Sequence, residues 1–61
     1  MILVTLRKGF WEEYKVEKLT NAAFVTVEGK RFCIGDRLNQ AQAEKLCEVI
    51  FYQVTILDSK E

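Results

Sequence analysis

A single helix-start signature stands among segments that alternate like β-strands, and this contrast restricts the fold more than any other feature of the chain. Asn39 is a residue type that accepts backbone N–H groups at a helix N-terminus, and Gln42, three positions later, completes a capping box. Leu38 and Ala43 flank this cap as a small hydrophobic staple. Apolar residues at helical spacing then predict one helix over about 40–49, with its buried face formed by Ala43, Leu46, Cys47 and Ile50.

Five other segments have the composition or the alternation of β-strands. They cover residues 1–8, 12–18, 23–28, 30–34 and 51–57. Alternation places Tyr14 and Val16 of the second segment in the core, and Phe32 and Ile34 of the fourth. A helix over 10–19 is the alternative for the second segment, because Phe10 and Tyr14 are four residues apart.

Glycines mark two of the connections between these strands. Gly9-Phe10-Trp11 predicts a hairpin between the first two strands, which would bring Arg7 and Lys8 near Glu12 and Glu13. Glu28-Gly29 lies between two strand-forming segments and predicts a second hairpin.

These elements predict an α+β fold with the order β-β-β-β-α-β. We expect a small antiparallel sheet of about five strands with one helix packed on one face. The last strand would pair with the first, and these two most apolar strands would lie in the middle of the sheet. Residues 1–61 form one small domain, in which 58–61 are a polar C-terminal tail.

The composition argues against most catalytic chemistry. The chain has no histidine, its only serine is Ser59, and its nine basic and nine acidic residues give a net charge of zero. It carries no metal-binding spacing and no glycine-rich phosphate loop. We therefore expect no enzyme activity, no cofactor, no metal and no small-molecule substrate. The longest apolar runs have four residues, too short for a membrane span, and no signal peptide is visible, so a cytoplasmic protein is expected.

The two cysteines are expected to be reduced. Cys33 comes from a strand and Cys47 from the apolar face of the helix, which predicts buried free thiols that act as small hydrophobic residues. A disulfide between them, or a metal or redox role, is the alternative.

Two sets of residues are candidates for binding a protein. Phe10 and Trp11 lie beside a turn, where Trp11 either folds back to seal the core or stays exposed with Phe10 as an anchor for a partner. One helix covers only one face of a sheet, so apolar residues on the other face predict a homodimer interface. These residues are Met1, Leu3, Thr5, Phe51 and Leu57.

The sequence thus favours a non-enzymatic protein-interaction module, such as an adaptor, an inhibitor or an accessory regulator. Short chains of this kind include those encoded by phages and mobile elements. The alternative is a small nucleic-acid-binding or transcription-modulating protein, in which basic residues at the hairpin turns would contact phosphates beside aromatic residues. The candidates for that role are Arg7, Lys8, Lys30 and Arg31.

Overall fold

The computed structural model describes residues 1–49 and 52–58, which form an α+β fold. The elements are six strands, one short 3₁₀ turn and one helix, which confirms the predicted class. In chain order they are β1 (Ile2–Lys8), the 3₁₀ turn (Phe10–Glu12), β2 (Tyr14–Thr20), β3 (Phe24–Val27), β4 (Lys30–Cys33), β5 (Arg37–Leu38), α1 (Gln40–Glu48) and β6 (Tyr52–Asp58).

The strands form two sheets rather than one. Four strands make a mixed sheet in the order β5-β2-β1-β6, while β3 and β4 form a separate hairpin. The chain segment 35–38 takes the outer edge of β2, where Val16 donates to the Asp36 carbonyl at 2.9 Å and accepts from Gly35 N–H at 2.8 Å. Because that edge is occupied, β3 cannot continue the sheet as an antiparallel meander.

The last strand returns to the first, as predicted. The pairing is parallel, from Ile2↔Tyr52 to Lys8↔Asp58, so the sheet is mixed rather than antiparallel as expected. Of these two strands, β1 is central as expected, but β6 lies at the edge of the sheet among the described residues, and β2 takes the other central position. Asp58 belongs to this strand, and the rest of the predicted polar tail, 59–61, lies outside the described residues.

The core lies between the four-stranded sheet and a layer made by α1 and the β3–β4 hairpin. The predicted inward residues Tyr14, Val16 and Phe32 are buried. Ile34 was expected in the core but is 57% exposed, because the chain leaves β4 after Cys33 and turns at Gly35, whose φ is +96°. The buried set is Val4, Leu6, Tyr14, Val16, Leu19, Val25, Val27, Phe32, Leu38, Ala43 and Leu46.

The helix begins where the sequence indicated. The Asn39 side chain accepts from Gln42 N–H at 2.8 Å, and Asn39 N–H donates to the Gln42 side chain at 3.0 Å. This capping box contributes about 1 kcal/mol to helix stability. Ala43 and Leu46 are buried as predicted, but Cys47 is exposed, and Ile50 lies outside the described residues. Within the described part of the chain, no helix is long and apolar enough to cross a membrane.

Candidate interaction surface

A tight turn at the end of the four-stranded sheet presents two aromatic side chains. We call residues 9–13, which connect β1 to β2, the aromatic loop. Gly9 N–H donates to the Glu13 carbonyl at 2.8 Å, and Glu13 N–H donates to the Phe10 carbonyl at 3.1 Å. Trp11, at φ 60° and ψ 32°, and Glu12, at φ 56°, occupy the two central positions. These angles resemble a type I′ turn, which normally requires Asn-Gly or Asp-Gly because both central residues have positive φ.

The aromatic loop directs its side chains into solvent. Trp11 is 95% exposed and Phe10 is 64% exposed. The alternative in which Trp11 seals the core is therefore wrong. An adjacent exposed pair of large aromatic residues offers on the order of 300 Å² of apolar surface, within the size range of functional patches on monomeric proteins.

Polar contacts tie the aromatic loop to the elements beside it. The Arg37 guanidinium of β5 donates to the Glu13 carboxylate. With the Gln40 amide oriented so that its nitrogen faces Glu12, that nitrogen lies 2.7 and 3.1 Å from the two carboxylate oxygens. The loop is thus connected to β5 and to the first residue of α1. Sequence analysis missed these supporting residues, because their distance from the loop along the chain is about 25 residues and no local pattern marks them.

The residues predicted to form a homodimer interface differ from one another in exposure. Leu3 and Thr5 are half-buried on the side of β1 that faces away from α1, and Leu57, 41% exposed, lies on the same side of β6. Met1 is 84% exposed, and Phe51 lies outside the described residues. The neighbouring positions on this face are mostly polar: Lys15, Lys18, Thr20, Gln53 and Thr55. We call this surface the open face; it offers little contiguous apolar area.

The four candidate nucleic-acid residues are divided between the two sheets. Arg7 and Lys8 end β1, whereas Lys30 and Arg31 begin β4 in the other sheet. Lys30 and Arg31 lie over aromatic rings of their own hairpin, with Arg31 4.3 Å from the centre of the Phe24 ring and Lys30 5.9 Å from that of Phe32.

Arg7 also has a different acidic partner from the one expected. Its Nε donates to Glu17 at 2.8 Å, not to Glu12 or Glu13. The reason is a β-bulge: the β1–β2 register shifts between Thr5 and Leu6, which leaves Glu17 as the extra residue beside Arg7.

The expectation that both cysteines are buried is wrong, because Cys33 and Cys47 are free and exposed. Cys33 ends β4, on the side of the hairpin opposite the buried Phe32. Cys47 lines a surface groove of about 330 Å³ together with Tyr14, Ala43 and Ile56. Partial desolvation in this groove, helped by the nearby Glu44 carboxylate, raises the pKa of the Cys47 thiol. Across the described residues, no cluster of histidine, cysteine or acidic side chains could hold a metal ion.

Comparison with protein-family models, with curated proteins and with solved structures finds no match to this chain. A function must therefore be inferred from the surface itself.

Proposed function

We propose that this protein is a non-enzymatic protein-interaction module that binds a partner protein through the aromatic loop. It would serve as an adaptor, an inhibitor or an accessory regulator. The observation that carries the proposal is Trp11, which is 95% exposed in a turn whose backbone it fits poorly. Tryptophan is one of the residue types enriched among the energetically dominant residues of protein interfaces.

The backbone supports the same interpretation. A left-handed conformation costs a residue with a side chain roughly 1–2 kcal/mol, and glycine avoids this cost. Trp11 and Glu12 both adopt it in succession. Keeping a tryptophan where glycine would stabilise the fold is typical of a residue that serves binding rather than folding.

The loop is also held ready for a partner. Its two backbone hydrogen bonds and the contact of Glu13 with Arg37 of β5 restrict its movement. A pre-ordered anchor loses less conformational entropy on binding than a flexible one. As part of the same proposal, the protein acts in the cytoplasm, where exposed free thiols such as Cys33 and Cys47 stay reduced.

Two glycine substitutions in the same turn test the proposal. Trp11→Gly and Glu12→Gly each relieve one strained residue, so both variants should be more stable than the wild type by about 0.5–1 kcal/mol in urea unfolding. Only Trp11→Gly removes the anchor. Proteins retained by the immobilised wild-type chain from lysate of its own cells would be identified, purified and titrated against each variant. Calorimetry measures the affinity of each variant, and in the wild type and Glu12→Gly the fluorescence of Trp11, the only tryptophan, also reports contact.

We expect Glu12→Gly to keep wild-type affinity within a few-fold, and Trp11→Gly to lose about 30-fold or more, which corresponds to about 2 kcal/mol. Because Trp11→Gly should be more stable than the wild type, unfolding cannot explain its loss of affinity. Equal affinity of the two variants would contradict the proposal. Retention of nucleic acid, with affinity that falls steeply as salt rises, would favour the nucleic-acid alternative instead.

A further inference from the structure

Among the described residues, the outer edge of β6 is an open strand edge. In the sheet order β5-β2-β1-β6, the strand pairs with β1 on one side and has no strand on the other among the described residues 1–49 and 52–58. It is seven residues long, and its backbone N–H and C=O groups on that side face outward. Proteins normally protect such an edge with a short strand, a lysine, a proline or a bulge.

β6 has none of these protective features. Residues 53–57 (Gln-Val-Thr-Ile-Leu) are uncharged and include no proline, and the β1–β6 register runs without interruption. Ile56 and Leu57, on opposite faces of the sheet, are 45% and 41% exposed. A long, uncharged and unbulged edge with apolar residues on both faces is suited to pairing with another strand.

We propose that two copies of this chain pair antiparallel along β6, which joins their four-stranded sheets across a two-fold axis. The strand is complementary to itself in this arrangement. With Thr55 on the axis, Thr55 faces its own copy, Val54 faces Ile56 of the second copy, and Gln53 faces Leu57 of the second copy. Threonine pairs and β-branched apolar pairs are favourable cross-strand neighbours.

Charge also favours a second copy as the occupant. Asp58 is the only charged residue of β6, and antiparallel pairing places the two Asp58 side chains at opposite ends of the ladder. The chain has zero net charge, so two copies do not repel each other at long range. A two-fold arrangement is closed, which prevents growth into fibres. The proposal is independent of the aromatic loop, which lies outside β6.

Sedimentation equilibrium of the full chain at about 100 μM tests the dimer, with Thr55→Lys and Thr55→Glu as variants. The wild type should have twice the 7.1 kDa chain mass. Each variant alone should be monomeric, because like charges meet on the axis, and a 1:1 mixture should recover the dimer, because opposite charges then meet there. Ala23→Lys adds the same charge at an exposed position outside β6 and should leave the dimer intact.

A monomeric wild type would overturn the proposal, as would a mixture that stays monomeric. Thr55 also lies on the open face, so Leu3→Lys separates the two interfaces: it should leave a β6 dimer intact, and a dimer split by Leu3→Lys would place the interface on the open face instead. If circular dichroism shows the charged variants to be unfolded, Thr55→Cys with Cys33→Ser and Cys47→Ser decides the question. It should form a disulfide-linked dimer on mild oxidation, since the Cα atoms of directly opposed residues in an antiparallel pair lie about 4.5–5.5 Å apart, within the range that a disulfide bridges. Ala23→Cys in the same background should form none, and equal linkage by the two variants would count against β6 pairing.

Discussion

Trp11 is an exception to the rule that large apolar side chains stabilise a fold by burial. It contributes almost no buried area, and it holds a backbone conformation that costs roughly 1–2 kcal/mol. Asn21, with φ 69°, reaches the same region at a lower cost, because its short polar side chain tolerates it. Glu12 and Glu28 also have positive φ, but only Trp11 combines this conformation with a large apolar side chain that is 95% exposed, and this combination calls for a functional explanation.

Cys47 is the residue at which pH should have a measurable effect. The thiolate is the reactive form, so a raised pKa leaves less of it near neutral pH. We expect iodoacetamide to modify Cys47 more slowly in the folded protein than in denaturant at the same pH. Glu44→Gln removes one of the two causes and should accelerate the reaction. Mass spectrometry of digests taken at intervals measures the labelling rates. Cys33, which is exposed, should be labelled in the folded state.

The raised pKa of the Cys47 thiol also makes the stability of the fold depend on pH. Folding favours the protonated thiol of Cys47, so its contribution to stability is present at neutral pH and is lost as pH rises through the folded pKa. Equal labelling rates of Cys47 in folded and unfolded protein would contradict this account.

Among the elements, the β3–β4 hairpin is the one whose formation is best explained by its own turn residues. Glu28 and Gly29 are its two turn residues, with φ values of 51° and 80°. Two positive φ values are typical of a type I′ turn, for which Asn-Gly is the preferred sequence. The hairpin therefore forms with one favoured residue, Gly29, and one unfavoured residue, Glu28.

Glu28→Asn should stabilise the protein by roughly 0.5–1 kcal/mol, since asparagine enters the left-handed region at lower cost. The matched control is Glu28→Gln, which loses the exposed 4.0 Å ion pair with Lys45 but keeps the unfavourable side-chain type. Such exposed pairs contribute little, so this control should unfold close to the wild type. The midpoints of urea unfolding measure both effects. If the asparagine variant is no more stable than the glutamine variant, the positive φ of residue 28 does not cost the fold stability.

At the scale of the whole molecule, one small core supports both the aromatic loop and the edge strand β6. α1 and the β3–β4 hairpin cover one side of the sheet, which leaves the open face without a covering layer among the described residues. A domain of this length has a total stability of about 3–9 kcal/mol, at 0.05–0.15 kcal/mol per residue. Loss of one buried side chain therefore removes a large fraction of it.

Leu46→Ala should lower the stability by about 2–5 kcal/mol, because Leu46 is fully buried between α1 and the sheet. Cys47→Ala is the matched control in the same helix turn and should have a small effect, because Cys47 is exposed. Thermal unfolding followed by circular dichroism compares them. Similar losses in the two variants would show that the buried face of α1 differs from the one described.

Local chemistry by itself determined much of this fold. The cap at Asn39, the alternation of Tyr14 and Val16, the turn at Glu28-Gly29 and the pairing of the last strand with the first were all predicted from the sequence. Such features depend on residues a few positions apart, or on the apolar character of whole segments, and both are visible in the chain. Phe10 and Trp11 were recognised as candidates, with exposure and burial of Trp11 left as alternatives.

Only the tertiary structure decided which edges and faces stayed open. β3 left the main sheet because residues 35–38 occupy the edge of β2, and β6 kept its outer edge because no described strand reaches it. Trp11 is 95% exposed in a left-handed turn, and Cys47 is exposed although it follows the buried Leu46 on α1. Each outcome depends on backbone hydrogen bonds and packing between segments that are distant in the chain. Hydrophobic periodicity does not predict such contacts.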